Sequence, residues 1–300
     1  MEVQMRKLLL IINPVSGTLK SRAIMFDLVN EFCKNGWTVT TAVTQKRRHA
    51  IELAATAADE GFELIVCCGG DGTLNEVVNG LISSGSRLPV GYVPAGSTND
   101  FADNLGLTKS PVAAAKAICA ERPFVLDVGH FCGKDYFTYV ASFGAFTDAS
   151  YSAPQNLKNT FGSFAYMMEG IKDVVNIKAY DISISTPDET ITGDFVFGAV
   201  SNTKRMAGFV HIPVTEEELH DGKFELLFVR APKDFGELND IALGVTTGKF
   251  DENSMFIYRR ASRVEIRMRE AVNWSLDGEK KSGVKNVVIE NLRDALTLYR

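Results

Sequence analysis

Between the apolar run Leu64-Ile65-Val66-Cys67-Cys68 and the helix-like segment Leu74 to Leu81 stands Gly69-Gly70-Asp71-Gly72-Thr73. A strand that feeds a glycine-rich turn and then opens a helix presents backbone N–H groups and a positive dipole end to an anion. The glycines permit positive φ and remove the Cβ atoms that would hold a phosphate off the main chain. Asp71 adds a carboxylate where the Mg²⁺ of a nucleotide could be engaged. Neither a Walker A pattern nor the dinucleotide G-x-G-x-x-G pattern fits this stretch. The plain alternative is a tight turn that binds nothing.

The surroundings of the turn repeat its logic. Short apolar strands are expected at 7–12, 37–43, 64–68, 90–93 and 124–128, separated by stretches of helical period such as Ile24, Leu28 and Phe32. This alternation implies a doubly wound α/β domain over residues 1–128, with a largely parallel sheet and its ligand site beyond the carboxyl ends of the strands. After residue 128 the pattern turns β-rich, with segments at 135–143, 179–185, 191–201, 223–230, 255–267, 272–276 and 284–290. Asp-Gly pairs at 221–222 and 277–278 mark turns, and helices are expected from Phe161 to Val175 and from Phe235 to Thr246. A β-sandwich domain over residues 129–300 is therefore expected, with the last residues packing back on the first domain.

The chain has 300 residues, more than one core usually supports, and a net charge of -5 that argues against capture by nucleic acid. Five cysteines, at 33, 67, 68, 119 and 132, lack C-x-x-C spacing and read as reduced core residues of a cytosolic protein, not as a disulfide framework or zinc site. The run Leu8-Leu9-Leu10-Ile11-Ile12 is too short for a signal core or a membrane span. Any membrane contact is expected to be peripheral.

Further residues gather at strand ends. Asn13-Pro14-Val15-Ser16-Gly17 follows a strand and precedes a helix, so its amides and the Ser16 hydroxyl could touch a nucleotide, unless it is a simple connecting loop. Pro94-Ala95-Gly96-Ser97-Thr98-Asn99-Asp100 brings two hydroxyls, an amide and a carboxylate to a helix start, of which capping explains a part. Asp127 ends the fifth strand, where a carboxylate suits a solvent-filled cleft better than a core. Leu276-Asp277-Gly278-Glu279 reads locally as a hairpin turn. Lys46, Arg47 and Arg48 after Thr44 read as a solvated loop, with phosphate or headgroup contact as the alternative.

Taken in order, Asn-Pro-x-Ser-Gly, Gly-Gly-Asp-Gly-Thr-Leu-Asn-Glu, Pro-x-Gly-Ser-x-Asn-Asp-Phe-Ala and a late Asp-Gly-Glu resemble the bacterial diacylglycerol kinase family, whose relatives include sphingosine and ceramide kinases. The resemblance runs from about residue 7 to the C-terminus and takes in His49-Ala50, Phe143-Gly144, Asp148-Ala149, Asn202 and Leu219-His220-Asp221-Gly222. It implies an ATP- and Mg²⁺-dependent lipid kinase with a nucleotide-binding first domain, a lipid-contacting second domain and the active site in the cleft between them. Carried over, the nucleotide site comprises Asn13, Pro14, Val15, Ser16, Gly17, Thr44, Gly70, Asp71, Gly72, Thr73, Leu74, Asn75, Glu76 and Ser97. Asp71 would act at the phosphates, Asp100 and Asp127 would complete an acidic network around the catalytic Mg²⁺, and Glu279 would accept the proton.

A second, structural Mg²⁺ is implied at Asp221, with the main-chain carbonyls of Glu218 and Lys223, whereas Asp221-Gly222 by itself reads as a hairpin turn. Ser97 stands where Thr is commoner, and Met206-Ala207-Gly208 replaces a glycine-rich stretch, which bears on the choice of lipid. The resemblance implies a lipid substrate, most simply diacylglycerol going to phosphatidic acid at the inner face of the cell membrane, and is compatible with a homodimer. Two other readings differ in class. A soluble NAD kinase shares the Gly-Gly-Asp-Gly turn but carries a Thr-Ala-Tyr segment leading into Ser-Ala-Gly-Gly, which this chain lacks. A silent nucleotide- or lipid-sensing module would have no reason to keep every acidic position.

Overall fold

The structure is a computed structural model that describes residues 6–17, 20–144, 178–206 and 210–300. The helix expected from Phe161 to Val175, Asp148-Ala149 and Ala207-Gly208 lie outside the described residues. The chain divides into two compact units, Met1–Val128 with Leu292–Arg300, and Gly129–Asn291.

The first unit alternates strand and helix: β1 (Arg6–Ile12), α1 (Lys20–Lys34), β2 (Trp37–Val43), α2 (His49–Thr56), β3 (Leu64–Gly69), α3 (Asp71–Ser83), β4 (Val90–Pro94), α4 (Asp100–Asn104) and α5 (Pro111–Cys119). Its sheet runs β2-β1-β3-β4 with every pair parallel. Next to β4 lies the far end of the last strand, β15 (Glu279–Tyr299), paired in parallel through Leu298 and Tyr299. Residues Leu8 to Ile12 and all six residues of β3 are buried, which is why these runs are apolar without alternation. Leu8, Leu10, Ile12, Leu64 and Val66 pack with Leu28 and Phe32 of α1 and Ile118 of α5 in one core. Burying each such side chain contributes about 1.5–3 kcal/mol. Helices α2 and α3 approach so closely that a Cβ on Gly80 would strike the Ile51 carbonyl oxygen. The chain runs from β1 outward to β2, then returns past β1 to β3, so the loops after β1 and β3 flank a switch point of the sheet.

The second unit is strand-rich. It contains the end of β5 (Pro123–Phe131), then β6 (Asp135–Phe137), β7 (Val140–Gly144), β8 (Tyr180–Ser185), β9 (Thr190–Ser201), the short pair β10 (Arg205–Met206) and β11 (Val210–His211), β12 (Phe224–Arg230), α6 (Phe235–Thr247), β13 (Phe256–Ala261), β14 (Arg263–Leu276) and the start of β15. Antiparallel pairing runs β13-β12-β9-β7-β14-β15, and β8 pairs with β9 on one side and β14 on the other. Phe131, Phe137, Phe143, Phe195, Phe224, Phe228 and Trp274 form one aromatic core. The strand expected over 135–143 is broken at Thr138 and Tyr139, whose N–H groups donate to Asp277. The strand expected over 255–267 breaks at Ser262, and its second part continues through 272–276 as β14. No helix among the described residues is long and apolar enough to cross a membrane.

Candidate active site

Three loops of the first unit meet at the switch point. The sheet's parallel register carries past the strand ends, where the Asn13 N–H donates to the Cys68 carbonyl (3.0 Å), Thr44 to Ile12 (2.9 Å) and Ala95 to Gly69 (2.8 Å). Side chains then tie the loops together. Asn13 Nδ2 donates to Thr73 Oγ1 at 2.9 Å, its Oδ1 accepts from the Val15 N–H at 3.1 Å, and the Gly70 N–H donates to Ser16 Oγ at 3.3 Å. The glycines make the approach possible. A Cβ on Gly96 would lie 2.6 Å from the Gly70 Cα and 2.8 Å from Asn99 Oδ1, and one on Gly17, whose φ is +60°, would strike the Ala95 carbonyl oxygen.

Helix α3 begins behind this meeting point with Gly70 as an extended N-cap that supplies no side-chain cap. Its first turn therefore keeps N–H groups and the positive end of a 13-residue helix dipole for an anion. Gly70 brings no side chain to the helix end, its own N–H is taken by Ser16 Oγ and its carbonyl accepts from the Thr73 N–H at 2.9 Å, and its contact with Gly96 leaves no room for a Cβ on either residue.

Asp71, the first residue of α3, reaches across to the third loop. Its Oδ2 accepts from the Asp100 N–H at 2.9 Å and its Oδ1 from the Phe101 N–H at 3.2 Å and from Tyr92 Oη at 3.5 Å. Asp71 thus caps α4 from outside. Asn99, in the left-handed region at φ 57°, gives α4 no side-chain cap. It turns back instead, accepting from the Gly96 N–H at 2.8 Å and donating to the Gly96 carbonyl at 2.9 Å. The expectation that Ser97, Thr98 or Asn99 caps this helix is corrected on that ground; Ser97 and Thr98 are exposed. Burial, with Asp71 beside it, raises the Tyr92 hydroxyl pKa far above its ordinary value, so this residue stays a neutral donor. Burial likewise pushes the Cys68 thiol up to about 12.

Other expected nucleotide residues serve the scaffold as well. Glu76 accepts from the Arg48 N–H at 2.8 Å and the Ala50 N–H at 3.2 Å, holding the start of α2, where Arg48 has φ 65°. Leu74 is buried, and Asn75 Oδ1 accepts from Asn79 Nδ2 at 3.0 Å. Pro14 and Val15 form the outer edge of the first loop, Val15 being 82% exposed. Lys46 pairs with Glu52 at 2.7 Å in an exposed loop. Asp127 is fully buried, and its Oδ1 accepts from the Asp294 N–H at 2.9 Å. The expectation of a carboxylate facing solvent is corrected here: the group satisfies a strand N–H at a residue with φ 51°.

In the second unit, Glu279 opens β15 directly after a two-residue turn, paired with Leu276 across it. Asp277 and Gly278 have φ of 48° and 86°, both positive as a type I′ hairpin requires. Asp277, which the sequence marks only as a turn residue, does more than turn the chain. It is buried, and its carboxylate accepts from the Thr138 N–H (2.6 Å), Thr138 Oγ1 (2.9 Å), the Tyr139 N–H (3.0 Å) and the Val140 N–H (3.0 Å). Four donors on one carboxylate fix the turn that presents Glu279. The only sequence signal was the Asp-Gly pair, which turn chemistry alone explained.

Asp221 does not sit in a hairpin, contrary to that expectation. It follows a 3₁₀ turn over Glu217–His220, accepts from the Lys223 N–H at 3.0 Å, and leads into β12. Among the described residues no group of three or more His, Cys, Asp or Glu is placed to hold a metal ion. The structure thus gathers Asn13, Ser16, Gly70, Asp71, Thr73, Gly96 and the start of α4 into one hydrogen-bonded set in the first unit, while Glu279 and Asp221 belong to the second.

A doubly wound sheet with an uncapped helix end at its switch point defines a class of α/β proteins that receive anions there. The diacylglycerol kinase catalytic domain family matches residues 7–131. The diacylglycerol kinase of Bacillus subtilis (strain 168) is 30% identical over 276 residues, covering 92% of this chain and 90% of that one. That of Staphylococcus epidermidis (strain ATCC 35984 / DSM 28319 / BCRC 17069 / CCUG 31568 / BM 3577 / RP62A) is 32% identical over 270 residues, covering 90% and 84%. A crystal structure of a diacylglycerol kinase from Bacillus anthracis str. Sterne superposes with a TM-score of 0.77 at 22% identity, covering 99% of this chain and 98% of that one, and has the same fold. The chain belongs to the diacylglycerol kinase family. It is an enzyme, a lipid kinase that uses a nucleotide as phosphoryl donor.

Proposed function

We propose that this chain catalyses Mg·ATP-dependent phosphorylation of a lipid hydroxyl, with diacylglycerol as acceptor and phosphatidic acid as product. The observation that carries the nucleotide half is the glycine-built start of α3, with no side chain at its N-cap, beside the Gly70–Gly96 contact. The family and its named relatives support the lipid half.

In this reading residues 1–128 bind the nucleotide, the glycine turn and the start of α3 meet phosphate oxygens, and Asn13, Ser16 and Ser97 set the loops around them. The resemblance assigns Asp71, Asp100 and Asp127 to the catalytic Mg²⁺; Asp127 is buried on the Asp294 N–H, so Asp71 and Asp100 are the carboxylates that would hold the ion. The bound ion would neutralise phosphate charge during transfer. Glu279 takes the proton of the acceptor hydroxyl, on a turn that Asp277 holds rigid. Residues 129–291, the strand-rich unit, receive the lipid, the protein meeting the inner face of the cell membrane from the cytoplasm, as a monomer or a homodimer.

The test is purified protein with labelled ATP, Mg²⁺ and mixed micelles of separate lipids, beside soluble NAD. Transfer to diacylglycerol that needs both Mg²⁺ and a lipid–water interface is expected. Efficient NAD phosphorylation without lipid, or ATP binding with no transfer to any lipid, overturns the reading. Glu279→Gln should separate the steps, keeping ATP affinity and losing lipid phosphorylation; full lipid turnover in this variant removes Glu279 from the role.

A further inference from the structure

The corner where the family resemblance implies a structural divalent ion is occupied by a guanidinium. Arg260 stands on β13 directly opposite Glu225 on β12. From there its Nε donates to Glu225 Oε1 at 3.1 Å, its Nη1 reaches Glu218 Oε1 at 2.9 Å and its Nη2 reaches Asp221 Oδ2 at 2.6 Å. The remaining oxygens of the two outer carboxylates are also taken. Asp221 Oδ1 accepts from the Lys223 N–H at 3.0 Å and Glu218 Oε2 from the Thr215 N–H at 2.8 Å.

The donor set does not fit Mg²⁺. That ion asks for a near-octahedral shell of oxygens at about 2.0–2.1 Å, whereas the Asp221 oxygen that would bind it already faces a fixed positive charge. A guanidinium is planar, always charged, and carries five N–H donors in a rigid fork, three of which are matched here to three carboxylates. Glu225 is fully buried, so it depends on Arg260 for the charge opposite it.

We propose that Arg260 is the resident cation of this corner, joining the 3₁₀ turn, the Asp221 turn and β12 as a bound divalent ion would, so that the corner's stability is independent of Mg²⁺. The inference rests on these contacts and not on the reaction the enzyme catalyses. The signal was absent from the sequence because Arg260 lies 35 residues beyond Glu225 and is brought opposite it only by strand register.

Thermal melting of the full chain without nucleotide, in EDTA and in Mg²⁺, tests it. The Tm difference between the two conditions is expected to be the same in the wild type and in Asp221→Asn. A Mg²⁺-induced rise in the wild type that Asp221→Asn abolishes overturns the proposal. Arg260→Met should lower Tm by several degrees, as loss of a partner to a buried charge does, and should create a new Mg²⁺ response that Asp221→Asn removes. An Arg260→Met protein that melts like the wild type and gains no such response overturns the proposal. Should Arg260→Met fail to fold, Arg260→Lys keeps the charge without the fork and should show the same ordering at smaller amplitude. The wild-type and Asp221→Asn comparison stands in either case.

Discussion

The Asp71 carboxylate is held by the N–H groups of Asp100 and Phe101, so a change there alters a helix end as well as a charge. Asp71→Asn is expected to lower kcat at least about 100-fold, the scale of removing one preorganised electrostatic group. It should also cost about 1 kcal/mol of stability through the weakened cap. Steady-state kinetics beside a melting curve separates the two, and a folded variant with near wild-type kcat would remove Asp71 from the chemistry. Glu225 offers a different readout. Burial pushes its carboxyl up to about 7 from an ordinary 4.5, against the pull of Arg260. The folded state therefore binds a proton more readily than the unfolded chain. The stability this group contributes is fully present below about pH 4.5 and is lost as pH rises through about 7. Glu225→Gln keeps an acceptor for Arg260 without the ionisable group. Its Tm relative to wild type should accordingly climb between pH 5 and pH 8, and a constant gap across that window would count against a proton on Glu225.

The strand-turn-helix unit of β3 and α3 was readable in the sequence because everything that makes it is local: a doubly buried strand, glycines that no side chain could replace, and a following helical period. Its partners were less readable. Asn13 and Ser16 read in the sequence as nucleotide contacts, yet their hydrogen bonds lock the loops to Thr73 and Gly70, a role that depends on sheet register. The cap of α4 was assigned to its own flanking residues because capping is usually local, whereas the carboxylate that does it comes from 29 residues upstream. Asp277 was legible as a turn residue but not as an anchor, for the same reason, its four donors lying well over a hundred residues earlier in the chain. The contact of Gly70 with Gly96 is testable directly. Gly96→Ala places a methyl 2.6 Å from the Gly70 Cα, and overpacking of this kind costs about 1–3 kcal/mol. If the cradle receives phosphate, ATP affinity measured by titration calorimetry should fall more steeply than stability does. Unchanged ATP affinity in a folded Gly96→Ala protein would place the phosphates elsewhere.

At the scale of the whole molecule, the first compact unit is not contiguous in sequence: Leu292–Arg300 belong to it, and Leu298 and Tyr299 pair with Val90 and Gly91. Arg87 also donates to the Asp294 carbonyl at 3.2 Å, and the buried Asp127 accepts the Asp294 N–H. Deleting 292–300 should therefore lower the melting temperature of the first unit itself, read by loss of ATP binding on heating. ATP binding that survives heating as in the full chain would show that the added strand is dispensable. The arrangement also bears on synthesis. A ribosome that has emitted residues 1–128 has released a sheet whose β4 edge still waits for a strand that lies beyond residue 291, and an unpaired edge is a template for the wrong partner. The nascent chain must keep that edge unpaired, or shielded by a chaperone, until residues 292–300 are made, so the unit that is translated first is finished only after the whole of the second.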